Sequence, residues 1–298
     1  MNPAPITLFA YNRPWHTKNT IDALKENHLA EKSDLIIFSD GPRSDDDKAY
    51  VESVRRYLNN ITGFNKVSIV EREKNFGLSG SIISGVTAIV KQYGQVIVVE
   101  DDLVSSPYFL KFMNDGLDFY RNAEDVISIH GYIFPVEDHL PDTFFLKGAD
   151  CWGWATWARG WALFNPDGKK LLEGIREGKL KEEFDYNGAY PFTKMLQDQT
   201  KGRNDSWAIR WHASAFLSEK LTLFPGRSLI RNIGIDQSGV HSGETKVFDT
   251  EVSREPITIS DIPIEENHFV KGKIERYYRK IKPGIAERIK NNFVRIFR

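Results

Sequence analysis

One cysteine, Cys151, is the only thiol in 298 residues. An internal disulfide framework is excluded, and the spacing patterns HExxH and CxxC that mark zinc sites are absent too. No apolar run approaches the roughly 20 residues that span a bilayer. Residues 1–5 run into an apolar segment without a charged leader, so no secretion signal is expected. Charge of one sign is not in excess: 40 Lys and Arg against 41 Asp and Glu leave a formal net charge of -1, which argues against a general nucleic-acid binder. The 22 glycines form neither GxGxxG after the first apolar run nor GxxxxGK[ST], so the dinucleotide and P-loop phosphate cradles are missing. A G-x-S-x-G nucleophile elbow is missing as well. These absences predict a cytoplasmic protein, or one peripheral on the inner face of a membrane.

What is present is a globular composition, 41% hydrophobic and 27% charged. The first half alternates apolar strand-like runs (6–10, 35–38, 67–70, 96–99 and 126–129) with helical stretches (14–29, from Ser44 through Val51, Val54 and Leu58, 77–93 and 107–120). Apolar strands that do not alternate predict an α/β fold with a mostly parallel sheet covered by helices on both faces. Ligands of such sheets bind beyond the carboxyl ends of the strands. The polar residues there are Asn12, Arg13, Asp40, Asn75 and Glu100-Asp101-Asp102.

The second half has another texture. Residues 151–164 hold four of the seven tryptophans; Trp154, Trp157 and Trp161 at i, i+3 and i+7 predict a helix turned into the core, whereas Trp152, beside Asp150 and Gly153, is the better contact for a ligand. A charged, partly helical stretch spans 167–190, a helix 206–217, short strands 221–225 and 228–230, and a Gly/Ser/His loop 234–243. One continuous domain is expected, with residues 1–130 as its nucleotide-sugar-binding half, 131–266 as its acceptor-side and catalytic half, and 267–298 as a basic amphipathic tail.

Three consecutive carboxylates at one strand end repel unless a cation or hydrogen-bond donors neutralise them. A divalent ion carrying a phosphate, Mn²⁺ or Mg²⁺, is the economical neutraliser, because hard cations take oxygen ligands. The competing reading is a solvated acidic turn or a helix cap, since Ser105 and Pro107 open a helix just beyond.

Phe9-Ala10-Tyr11-Asn12-Arg13-Pro14, Phe38-Ser39-Asp40-Gly41, Asn75-Phe76-Gly77-Leu78 and Val98-Val99-Glu100-Asp101-Asp102-Leu103 follow one another in the order of a GT-A nucleotide-sugar transferase. The chain resembles the N-acetylglucosaminyltransferase I type and, more broadly, the bacterial family-2 glycosyltransferases. The likeness covers about the first 130 residues, thins through the tryptophans and returns at Asn204-Asp205-Ser206-Trp207, similar to the family's DDW segment. It implies a GT-A fold and a metal-dependent inverting hexosyl- or N-acetylhexosaminyltransferase for bacterial surface polysaccharide. The donor implied is a nucleotide sugar, a UDP-sugar favoured, and the acceptor a glycan or a lipid-linked sugar.

By that resemblance Arg13 pairs with the diphosphate or base edge, Asp40 with the base or ribose, Glu100 with the donor sugar and Asp101 with ribose or sugar, while Asp102 binds the metal. Asp205 is the implied general base, although its position also suits a cap for the helix that follows; Asp198 and Glu219 are the reserves. His241, between Gly239 and Gly243, is either a closing-loop contact to the diphosphate or an ordinary loop histidine. From Lys271 onward basic residues dominate, and Ile289, Phe293, Ile296 and Phe297 form an apolar stripe, suited either to an anionic membrane surface or to packing on protein. A sugar nucleotidyltransferase is the enzymatic alternative, although it would need a Gly-rich basic loop where residues 11–18 stand. A non-catalytic nucleotide-sugar-binding protein is the alternative outside enzymes.

Overall fold

Runs of Ile, Val, Leu and Phe in the first half give strands β1 (Ile6–Ala10), β2 (Asp34–Ser39), β3 (Lys66–Glu71) and β4 (Gln95–Glu100), all parallel. They are joined by α1 (Pro14–Lys25), α2 (Asp45–Leu58) and α3 (Gly77–Tyr93). Short β5 (Leu103–Ser105), α4 (Phe109–Phe119) and β6 (Val126–His130) follow. The second half supplies β7 (Thr143–Lys147), β8 (Trp154–Trp157), α5 (Ala158–Trp161), α6 (Gly168–Glu177), α7 (Lys181–Phe184), α8 (Phe192–Thr200) and α9 (Trp207–Leu217). It ends with β9 (Leu221–Pro225), β10 (Ile230–Asn232) and α10 (His268–Arg295). This computed structural model describes residues 3–136, 139–236 and 247–295, with side chains through Ile281 in α10.

The main sheet has the order β3-β2-β1-β4-β8-β6-β9-β7. Its first four strands are the parallel, doubly covered set that the apolar runs predict. Beyond β4 the sheet is mixed: β8 runs antiparallel between β4 and β6, β9 is parallel to β6, and β7 closes the edge antiparallel. One face packs α1, α2 and α4 through Ile21, Leu24, Val54, Leu58, Phe112 and Met113. The other packs α3 and α9 through Ile82, Val86, Trp207 and Trp211. Gly85 permits that second contact, since a Cβ there would sit 2.6 Å from the Phe9 ring.

Several boundaries differ from the sequence reading. Trp154 and Trp157 lie in a strand, not a helix. Three residues apart in a strand they face opposite sides, so Trp154 enters one core and Trp157 the other. Trp154 is fully buried against Trp161, Trp207 and Trp211, with ring centroids 5.6–5.7 Å away. Deleting such a ring costs about 3–5 kcal/mol. Helix α1 stops at Lys25 instead of 29, because the Asn27 amide turns back to donate to the Ala23 carbonyl and to Ser105 Oγ, both at 2.9 Å. The strand expected at 228–230 begins at Ile230, since Ser228 Oγ donates to the Ile230 carbonyl in a turn. Strand β7 was not foreseen.

The expected basic tail starts as part of the body. Val270, Ile274, Tyr278 and Ile281, one stripe of α10, are buried with Phe144, Leu146 and Phe224. Lys271 Nζ donates to Glu266 Oε2 at 2.7 Å, and Arg279 Nη2 to the Asn187 carbonyl at 2.9 Å. The stripe of Ile289, Phe293, Ile296 and Phe297 lies outside the residues whose side chains are described, and His241 lies outside the described residues altogether. Among the described residues no helix is long and apolar enough to cross a membrane.

Candidate active site

Register brings the polar strand ends to one edge. Phe9 stands opposite both Phe38 and Glu100, so Arg13, Asp40 and the acidic turn leave the sheet within one or two residues of the same level. Arg13 precedes α1, its carbonyl accepting from Thr17 Oγ1 at 2.8 Å. Its guanidinium donates to Asp101 Oδ1 and, at 3.0 Å, to Asp102 Oδ2. The sequence-implied partner of Arg13 was the donor; in the structure it is the acidic turn.

The three acids of that turn have different surroundings. Asp101 is buried beneath Arg13, and its carbonyl accepts from Thr20 Oγ1 at 2.8 Å. Burial raises its carboxyl above the usual range, and the Arg13 charge opposes that rise. Glu100 carries its carboxyl well above the usual range, first through burial and then through repulsion from Asp102 and Asp101. Asp102 keeps 15% of its side chain exposed. Three carboxylates share one guanidinium, so the turn carries a surplus of negative charge that suits a further cation.

The second half comes back to this turn. Strand β10 pairs antiparallel with β5, Asn232 opposite Leu103, and the Ile233 amide donates to the Asp102 carbonyl at 2.8 Å. Gly234 then passes directly over the charges: a Cβ on it would lie 2.1 Å from Asp102 Oδ2 and 2.9 Å from Arg13 Nη1. Sequence reasoning did not single it out, and its only signal was a glycine at the start of the 234–243 loop. Along the β4–β8 register, in which Val98 faces Trp154, Trp152 falls across from Glu100. Its indole packs edge-on against Tyr132 at 4.7 Å. Cys151 follows Asp150 there, and burial, then the Asp150 and Glu100 charges, push its thiol well up.

Asp40 is committed to backbone. Its carboxylate accepts from the Phe76 amide at 2.9 and 3.1 Å and from the Gly41 amide at 3.1 Å. Asn75 braces the same turn by donating to the Gly41 carbonyl and accepting from the Gly77 amide. Together they hold Phe76 out at 54% exposure, with the Arg72 guanidinium 4.3 Å from its ring centre. Tyr11 and Asn12 instead bind Asp47 of α2, at 2.9 and 2.8 Å.

Asp205 does not cap α9: Ser206 does, its Oγ accepting from the Ile209 amide at 3.2 Å. Asp205 keeps 73% of its side chain exposed and is held at one oxygen by Arg210, 3.1 Å away. Arg210 also donates to Ser79 Oγ near the start of α3, and Trp207 stacks on Trp154 at the site end of β8. The reserve acids are elsewhere: Asp198 is bound by Lys194 and Arg203, and Glu219 faces Lys147.

No group of three or more His, Cys, Asp or Glu side chains able to hold a metal occurs among the described residues. A divalent ion here fits one protein carboxylate, Asp102, with its other ligands coming from the phosphates of a substrate, a common arrangement for Mg²⁺-type sites.

Residues 6–143 match the family model described as glycosyl transferase family 2. That segment belongs to the family. No curated protein matches the chain. Solved structures of similar fold include a mannosyltransferase, PcManGT from Pyrobaculum calidifontis in complex with GDP-Man and Mn²⁺, at 13% identity and a TM-score of 0.34, over 45% of this chain and 36% of that one. S. aureus TarS matches at 16% identity and a TM-score of 0.32, over 49% of this chain and 24% of its own. A UDP-glucose pyrophosphorylase complexed with UDP-glucose matches at 11% and 0.36, over 74% and 90%. The chain thus spans 36% and 24% of the first two. The family-2 segment contains Arg13, Asp40 and the Glu100–Asp102 turn, whereas Trp152, Asp205 and Gly234 lie beyond it.

Proposed function

We propose that the chain is an inverting glycosyltransferase that moves a hexosyl or N-acetylhexosaminyl group from a nucleotide sugar, a UDP-sugar by preference, to a glycan or lipid-linked acceptor hydroxyl. The observation that carries the reading is the acidic turn at the end of β4, inside the family-2 segment, with more negative charge than Arg13 neutralises. Asp102 would hold a Mn²⁺ or Mg²⁺ ion, which when bound supplies charge for the departing diphosphate. Phe76, propped out by Asp40 and Arg72, offers a face to the base, and Glu100 faces the sugar. The acceptor oxygen bonds to the anomeric carbon while the bond from that carbon to phosphate oxygen breaks. Asp205, exposed and freed of capping by Ser206, takes the hydroxyl proton. Arg210 fixes the carboxylate without covering it.

Surface-polysaccharide synthesis on the cytoplasmic face fits such an enzyme, and the basic end of α10 would hold it against anionic lipid. The test is nucleotide release from a panel of nucleotide sugars with Mn²⁺. Asp102→Asn is expected to lose metal-dependent donor binding with its fold intact. Asp205→Asn is expected to bind donor normally and lose transfer by about two to four orders of magnitude. Metal-dependent binding undiminished in the first variant, or equal loss of binding and turnover in the second, would overturn the assignment concerned. Co-sedimentation with anionic and neutral vesicles, at low and high salt, tests the membrane contact.

A further inference from the structure

Beside the acidic turn lies a group of polar side chains that neither the fold nor the proposed chemistry uses. Asp150 stands between β7 and β8, two residues before the Trp152 that faces Glu100. Its Oδ1 accepts from the Cys151 amide at 2.7 Å. Its Oδ2 points to His130 Nε2, 3.7 Å away, and a third of the side chain, 33%, remains open to solvent. His130 is fully buried at the end of β6, and neither of its ring nitrogens has a hydrogen-bond partner among the described residues. His212 of α9 is 8% exposed; its Nδ1 meets the Ala149 carbonyl at 2.8 Å, which makes Nδ1 the donor and leaves Nε2 an acceptor without a partner among the described residues.

Each buried, unpartnered polar atom costs about 1–3 kcal/mol. Three ring nitrogens converging beside one carboxylate are therefore an expensive way to fill space that Phe or Leu would fill better. Burial also lowers the basicity of both imidazoles, which keeps them neutral, each able to donate at one nitrogen and accept at the other. The partner they fit must both donate and accept. An anion would meet the Asp150 charge, and the three side chains do not close into a metal-ligand group. A hydroxyl satisfies them: it donates to Asp150 Oδ2 and accepts from an imidazole N–H. The flat edge-to-face pair of Trp152 and Tyr132 beside the opening suits the C–H face of a ring.

We propose that Asp150, His130 and His212 form a sugar-hydroxyl pocket, the subsite for the ring hydroxyls of a pyranose next to the acidic turn. The pyranose is either the donor hexose or the acceptor sugar; only that last distinction rests on the transferase reading above.

The test uses the full chain and Asp150→Asn, which keeps an acceptor for the Cys151 amide. Saturation-transfer NMR and tryptophan fluorescence follow methyl glucoside, galactoside, mannoside and N-acetylglucosaminide, with and without UDP. Calorimetry compares UDP with the matching UDP-hexoses. The wild type is expected to favour at least one hexose, and Asp150→Asn to weaken that preference about tenfold or more, the worth of a hydrogen bond to a charged group, at unchanged UDP affinity and unfolding temperature. A loss confined to UDP-hexose places the donor sugar in the pocket. A loss confined to methyl hexoside on UDP-loaded protein places the acceptor there. Asp150-dependent binding of methyl hexosides by a chain that binds no nucleotide would sink the transferase reading and leave the pocket standing. Should Asp150→Asn unfold, His212→Asn gives the same readout. Hexose binding equal in wild type and a folded variant, or no hexose preference in the wild type at all, overturns the proposal.

Discussion

Arg13 is the hinge of charge at the site. It neutralises two carboxylates at once, and it is only 19% exposed, so removing it leaves Asp101 buried without a partner. Breaking a buried pair from one side costs about 3–5 kcal/mol. Arg13→Ala is therefore expected to lower stability by that order in chemical denaturation. Adding Asp101→Asn should recover part of the loss, and a double variant no more stable than the single one would show that the pair is not what holds the turn. Gly234 makes a complementary prediction. Gly234→Ala puts a methyl group where Asp102 Oδ2 now is, so the carboxylate must turn away from its present position. Calorimetry is expected to show donor affinity reduced by about tenfold or more, while the unfolding temperature moves by only a few degrees, because the cost is a displaced side chain and not a cavity. Affinity like that of the wild type would remove Gly234 from the site.

At the scale of elements, the strand ends were the legible part. Val96 to Val99 can only be a doubly covered strand, and whatever follows such a strand in a parallel sheet lies at its ligand edge, so Glu100–Asp102 followed from pattern alone. The tryptophan segment was legible in burial and illegible in form, because a three-residue spacing places two indoles on one face of a helix or on opposite faces of a strand. Asp205 shows the limit in another way: two adjacent residues, Asp205 and Ser206, are both good caps, and only the geometry shows that Ser206 took the role. Gly234 and Asp150 were hidden because their neighbours are distant in sequence. Helix α10 carries a prediction of its own. Ending the chain after Ile281 keeps the stripe of Val270, Ile274 and Tyr278 seated, whereas ending it before His268 bares Phe144, Leu146 and Phe224. The shorter chain is expected to aggregate or bind a hydrophobic dye, and the longer one to unfold cooperatively. If both behave alike, α10 is not part of the body.

For the whole molecule, acid should be destabilising earlier than carboxylate titration alone would dictate. His130 and His212 have their affinity for protons lowered by burial, with Asp150 opposing in both cases. Their unfolded value lies at 6.5, so at lower pH the unfolded chain binds more protons than the folded one, and stability falls as pH drops below that point. Their contribution is fully present above it. The melting temperature is expected to fall by about 3 °C or more from about pH 7 to about pH 5.5, with a shallower slope in His212→Gln. A flat profile over that interval would mean that the rings accept protons in place.

The pairing of β10 with β5 also orders the molecule in time. Leu103 leaves the ribosome long before Asn232, yet the two are neighbours across a ladder that fixes the residues on either side of Asp102. Parallel strands β1 to β4 can assemble on the nascent chain as soon as they emerge, but the floor of the acidic turn cannot close until the last strand arrives. During synthesis the three acids stand on a sheet without their cover, and a chain halted before residue 230 should be folded in part and blind to nucleotide sugar.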